Sequence, residues 1–145
     1  MKSNILKNIP NTWTQLSNEQ IKNAGLVQSS DYELVGAFKI DKYILSINKI
    51  SNVPDFLIDF IDFFENSKNM KNSPLKPIDL KMISHNEKEF LLCVFESNQN
   101  TLNVQIFHQN NDDVFSFVFG IENLGEFVFE KIEQNKVVQD VLNLI

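Results

Sequence analysis

Two histidines, one cysteine and a row of carboxylates are the side chains of this 145-residue sequence whose types lend themselves to chemistry. His85 lies in "SHNEKE" and His108 in "FHQNNDD", both at the ends of expected strands. A solvated turn histidine explains that placement more simply than acid–base catalysis does. His108, Asp112 and Asp113 could together offer ligands to a metal, but their spacing matches no named site. Asn and Asp favour turns by bonding their own backbone, so "QNNDD" needs no ion. Cys93, in "FLLCVFES", has no nearby base to make it a nucleophile and reads as a small buried hydrophobe. Being the only cysteine, it rules out an internal disulfide and a thiolate zinc cluster. Nucleophile elbows, phosphate-binding glycine loops and zinc helices are absent. The expectation is therefore no catalytic residue, no metal, no cofactor and no enzymatic activity.

The carboxylates are better organised. In "VPDFLIDFIDFFENSKN", Asp55, Asp59 and Asp62 fall at i, i+4 and i+7 of an expected helix, and Glu65 extends the row. Such a row either keeps a very apolar helix soluble or faces a basic partner, and the second use makes these four residues candidates for partner binding. Trp13, in "IPNTWTQLS", either caps one edge of the core or stacks on a ligand. With Phe115, Phe117 and Phe119 of "VFSFVFG" it forms the candidate ligand groove.

Charge narrows the partners. A formal net charge of −6 and a pI near 4.8 disfavour nucleic acid and anionic membranes, and favour a basic protein. All 13 basic residues are lysine, which fits the codon bias of an AT-rich genome and points to a bacterial source. "MKSNILKNIPNTWTQ" holds no apolar run of signal-peptide length, and nothing approaches the roughly 20 apolar residues of a membrane span. The expected location is the cytoplasm.

The positioning elements follow from periodicity. With 43% hydrophobic residues and no composition shift, residues 1–145 read as a single domain. "LSNEQIKNAG" carries a capping box at Ser17 and Gln20 and a stop at Gly25. "YELVGAFKI" and "KYILSINKI" read as a hairpin turning at Asp41-Lys42. Val53 before Pro54 is barred from helical dihedrals, so the next helix is expected to start at Pro54. After the loop "NSKNMKNSPLKP" come "IDLKMIS", "EFLLCVFES", "TLNVQIFHQ" and "VFSFVFG", an antiparallel meander with turns at His85-Asn86, Ser97 to Asn100 and Asn110 to Asp112. The chain closes with helical spacing at Leu124, Phe127, Val128 and Ile132 that either runs on or breaks near Asn135.

Phe115, Phe117 and Phe119 alternate with Val114 and Val118, and Phe90, Leu92 and Val94 with Leu91, Cys93 and Phe95. Both faces are thus expected to be apolar and to need cover. The expected fold is α+β: an antiparallel sheet of five or six strands with helices on both faces, an α/β/α sandwich. A face left partly bare would become a binding groove.

The order of these segments resembles the PsbP-like superfamily, which includes DcrB-type proteins and Eag-type chaperones of type VI secretion effectors. "IPNTW" is similar to its opening turn, "AFKIDKYILSINKI" to its first hairpin and "FLIDFIDFFENS" to the following helix. "FLLCVFES", "TLNVQIF" and "VFSFVFG" are similar to its meander, and "FVFEKIEQ" stands in place of its closing helix. The likeness runs from about Ile9 to Ile145, and the helix at Ser17 is an insertion relative to the chaperones. It implies a sandwich used for binding. The expected function is accordingly non-catalytic protein binding, first as a bacterial immunity protein that neutralises a basic toxin or secreted effector. A chaperone of a type VI secretion effector, a small-ligand binder and a homodimer are the alternatives.

Overall fold

Apolar runs separated by tight turns pair with their chain neighbours, because short connections cost least entropy to close. The computed structural model describes residues 5–23, 32–40, 43–69, 75–97, 101–122 and 128–145. Its strands are β1 (Thr14–Gln15), β2 (Tyr32–Ile40), β3 (Tyr43–Ile50), β4 (Leu75–His85), β5 (Lys88–Ser97), β6 (Thr101–Asn110) and β7 (Asp113–Glu122). They form one seven-stranded sheet in the order β1-β2-β3-β7-β6-β5-β4, with every neighbouring pair antiparallel. The expectation of five or six strands is thereby corrected. The additional strand is β1, two residues that the buried Trp13 anchors beside Lys39 and Phe38 of β2.

The expected hairpin and meander are both present, and β7 joins them by pairing with β3 from Ser46↔Val118 to Ile50↔Val114. β4 starts three residues before the expected "IDLKMIS" and takes in Pro77, where the register shifts before Asp79. An edge strand tolerates a proline because one side of its ladder is unused. Asn86 and Glu87, at φ 53° and 67°, turn the chain between β4 and β5, as both central residues of the tightest hairpin turn require.

The α-helices that flank the sheet include α1 (Asn18–Asn23), α2 (Phe56–Ser67) and α3 (Lys136–Leu142). The capping box on α1 is formed, with the Ser17 N–H donating to Gln20 Oε1 at 2.8 Å and the Gln20 N–H to Ser17 Oγ at 3.2 Å. α2 begins two residues later than expected, since the Phe56 N–H donates to the Val53 carbonyl at 3.1 Å and Pro54 and Asp55 stay in that turn. Near the C-terminus the chain breaks at Asn135, between a 3-10 turn (Phe129–Gln134) and α3. Asn135 Oδ1 caps α3 by accepting from the N–H groups of Val137 and Val138 at 2.9 and 3.3 Å. The stop at Gly25, the Asp41-Lys42 turn, residues 98–100, Leu124 and Phe127 lie outside the described residues.

Alternation along the strands separates two buried clusters. One gathers Phe90, Leu92 and Val94 with Phe115, Phe117 and Phe119, and is joined by Ile5, Trp13, Ile132, Val138, Val141 and Leu142. The other gathers Leu91, Cys93, Phe95, Phe107 and Val114 with Phe64 of α2, and Leu57 and Ile61 pack against it. The molecule is mostly sheet, with short helices, rather than three balanced layers. A seven-stranded sheet is about 29 Å wide, whereas a twelve-residue helix is about 18 Å long and about 10 Å across, so α2 cannot cover its face. No described helix is long and apolar enough to cross a membrane.

Candidate functional site

What α2 leaves open depends on which residues the strand pairing places side by side. Residues in register share a face, so Ser46, Val118, Gln105 and Cys93 form one row across β3, β7, β6 and β5. Asn48, Ser116, Phe107 and Leu91 form the next. Each row is polar at its β3 end and apolar where it reaches the α2 cluster. The expectation of two uniformly apolar faces is therefore corrected: the second face is apolar beneath α2 and carries hydroxyl and amide groups beyond it.

This boundary forms a groove of about 440 Å³. Its walls include Phe56, Phe60, Phe63 and Phe107, and its floor includes Tyr32, Ser46, Gln105 and Ser116. Phe60 and Phe56 pack at a tilt against Phe107 with ring centroids 4.6 and 5.1 Å away, which fixes the wall. Phe63 stands 5.8 Å from Phe60 and is 56% exposed, and Ile58 on the outside of the helix is 65% exposed. Asn48 is only 3% exposed, and its Nδ2 donates to Ser46 Oγ at 3.5 Å. Gln105 Nε2 donates to Asn103 Oδ1 at 2.8 Å, which leaves Oε1 without a partner among the described residues. Burial pushes the Tyr32 phenol above its ordinary 10.0, and a hydrogen bond with the Ser116 side chain offsets part of that rise. The floor is consequently uncharged at neutral pH.

The acidic row borders this groove. Each residue turns an α-helix by about 100°, so Asp55, Asp59 and Asp62 lie one step behind the Phe56, Phe60 and Phe63 row. All three are exposed and none has an ion-pair partner among the described residues. Glu65, the fourth expected member, is instead held by Lys68 at 3.4 Å. Asp55 and Asp59 also line a cleft of about 420 Å³ that shares Phe56 and Phe60 with the groove. The two openings flank one aromatic ridge.

The other expected site is placed differently. Trp13, Phe115 and Phe117 are buried in the first cluster, with the indole 6.0 Å from the Phe38 ring, so these residues serve the core, and none of them lines the three cavities formed by described residues. Phe119 alone reaches a cleft, one of about 280 Å³ shared with Ile40, Tyr43 and Val137. None of the three cavities formed by described residues unites these four residues. Sequence reasoning missed the groove floor because Ser46, Gln105 and Ser116 lie on three strands whose adjacency only the pairing defines. It missed the groove wall because Phe56, Phe60 and Phe63 read as core.

The remaining reactive types are engaged elsewhere. His85 Nε2 lies 2.7 Å from Asn143 Oδ1, and His108 Nδ1 lies 3.0 Å from the Glu89 carbonyl with its ring against Phe90. Asp113 pairs with Lys49 at 3.6 Å and accepts from the Asn52 N–H at 3.3 Å, away from any role beside His108. Among the described residues no group of three His, Cys, Asp or Glu side chains is placed to hold a metal ion. Burial pushes the Cys93 thiol far above its ordinary 9.0.

No family model matches the sequence, and no curated protein does. A solved structure does: the solution structure of cyanobacterial PsbP (CyanoP) from Synechocystis sp. PCC 6803 is similar over 93% of this chain and 81% of that one, with a TM-score of 0.52 and 12% identity. The fold is PsbP-like.

Proposed function

We propose that this protein works by binding another protein, and that the basic partner docks on the outer side of α2 and the half-sheet beside it. The observation that carries this reading is the juxtaposition of Asp55, Asp59 and Asp62, unpaired among the described residues, with exposed Phe63 at the rim of an aromatic groove and exposed Ile58 on the outside of the same helix. Apolar contact supplies affinity at such a rim, and the carboxylates steer a basic surface into register. A bacterial immunity protein that masks a basic toxin in the cytoplasm requires this kind of complementarity and no catalytic group. Kinship with DcrB-type proteins and Eag-type chaperones, and a chaperone's role toward a type VI secretion effector, belong to the same proposal, since both functions need a docking face. A PsbP-like fold by itself names no partner.

The test is capture on the immobilised protein, followed by salt titration, with the Asp55→Asn, Asp59→Asn, Asp62→Asn variant in parallel. The expected result is one stoichiometric basic protein, released by salt and lost in the variant, whose toxicity the wild type suppresses. The variant itself should fold, because exposed substitutions of this type change stability by about 0.5 kcal/mol or less each. A partner retained equally by the variant and in high salt would overturn the reading.

A further inference from the structure

The groove beside α2 is neither wholly apolar nor wholly polar, and that combination selects its occupant. Aromatic walls and a floor of hydroxyl and amide groups match a side chain with an apolar body and a hydrogen-bonding tip. We propose that the groove takes an aromatic anchor residue ending in a donor, a tyrosine or tryptophan, from a partner segment whose flanking residues are basic. The inference rests on the protein-binding reading and adds the chemistry of the contact.

Three observations support it. With its Nε2 given to Asn103 and no partner for Oε1 among the described residues, Gln105 can accept a donor from an incoming group. Ser46, barely exposed, adds a hydroxyl from β3, across Val118 of β7 from Gln105. Phe60 and Phe107, 4.6 Å apart, and the exposed Phe63 provide ring surface for the anchor's body. Because Asp55, Asp59 and Asp62 run along the same side of the groove, the chain leading to and from the anchor passes a line of negative charge. Basic flanks fit it, and acidic ones are repelled. A phenylalanine anchor would fill the walls but leave the floor acceptor unpaired, which is where discrimination arises.

The probes are N-acetyl-tyrosinamide and N-acetyl-phenylalaninamide, which differ by one hydroxyl, titrated into the 15N-labelled 145-residue protein. The expected result is tyrosinamide-induced shifts in the amides of Ser46, Gln105, Ser116 and Val118. Its affinity should exceed the phenylalanine analogue's by about fivefold, the effect of one net hydrogen bond. Gln105→Leu should erase the preference, while Phe63→Ala should weaken both amides alike. Equal affinity of the wild type for the two amides, or shifts centred on Tyr43 and Phe119, would overturn the inference. If the amides differ as expected but the triple Asn variant keeps its partner, the acidic-row reading fails and the groove assignment stands. If the variant loses its partner and the amides do not differ, the groove assignment alone fails.

Discussion

A cysteine's reactivity is a property of its surroundings, and Cys93 shows how far these can suppress it. Its side chain is fully buried against the α2 cluster, and its Sγ donates to the Gln105 carbonyl at 3.6 Å. The thiolate is the reactive species, and burial without a cation disfavours it. Native protein should therefore resist a thiol reagent such as DTNB at pH 8, with one thiol per chain appearing only in denaturant; rapid native labelling would contradict the buried assignment. The same shift has a consequence for stability. The folded-state thiol ionises at higher pH than the unfolded one, so its contribution to stability is complete below the unfolded value and declines as pH rises past the ordinary 9.0. Thermal melts from pH 8 to 10 should show a falling Tm that Cys93→Ala reduces.

Neighbouring phenylalanines on α2 have opposite duties. Phe64 is fully buried, with its ring 5.2 Å from Phe95, whereas Phe63 stands at the groove rim. Phe64→Ala removes a core side chain and should cost about 3 to 5 kcal/mol in chemical denaturation. Phe63→Ala should change stability by less than about 1 kcal/mol and weaken partner binding instead. Equal losses from the two would mean that α2 is rotated relative to the sheet. The broad apolar surface of this helix was legible in "FLIDFIDFFENS"; the division into a packed row and an open row was not. Both rows are phenylalanine-rich, and only the limited width of the helix against the sheet separates them. The exact start was also hidden, because Pro54 suits the turn before a helix as well as its first residue.

Both clusters share one sheet, so neither can lose its strands without exposing the other. Ile47, Phe117, Ile106 and Leu92 face one cluster from the same strands that present Phe107, Leu91 and Cys93 to the other. Cooperative, two-state unfolding is the expectation. Trp13 reports on the first cluster, far-UV circular dichroism on the whole backbone, and their denaturation midpoints should coincide. A Trp13 transition preceding the loss of secondary structure would show that the N-terminal segment detaches independently.

Local chemistry determined much of this protein in advance. The capping box at Ser17, the hairpin, the meander and the two-faced alternation of β5 all depend on residues close in sequence and were legible there, whereas the break at Asn135 was one of two open readings. The absence of a recognisable catalytic motif was equally plain. Tertiary structure alone decided that β7 returns to β3, since long-range pairing depends on the summed burial of the whole sheet rather than on any one segment. That pairing aligned Ser46, Asn48 and Ser116 into a polar half-face beside an apolar one. It also buried Trp13, Phe115 and Phe117, which the sequence could equally have offered to a ligand, and left the edge of α2 as the open groove.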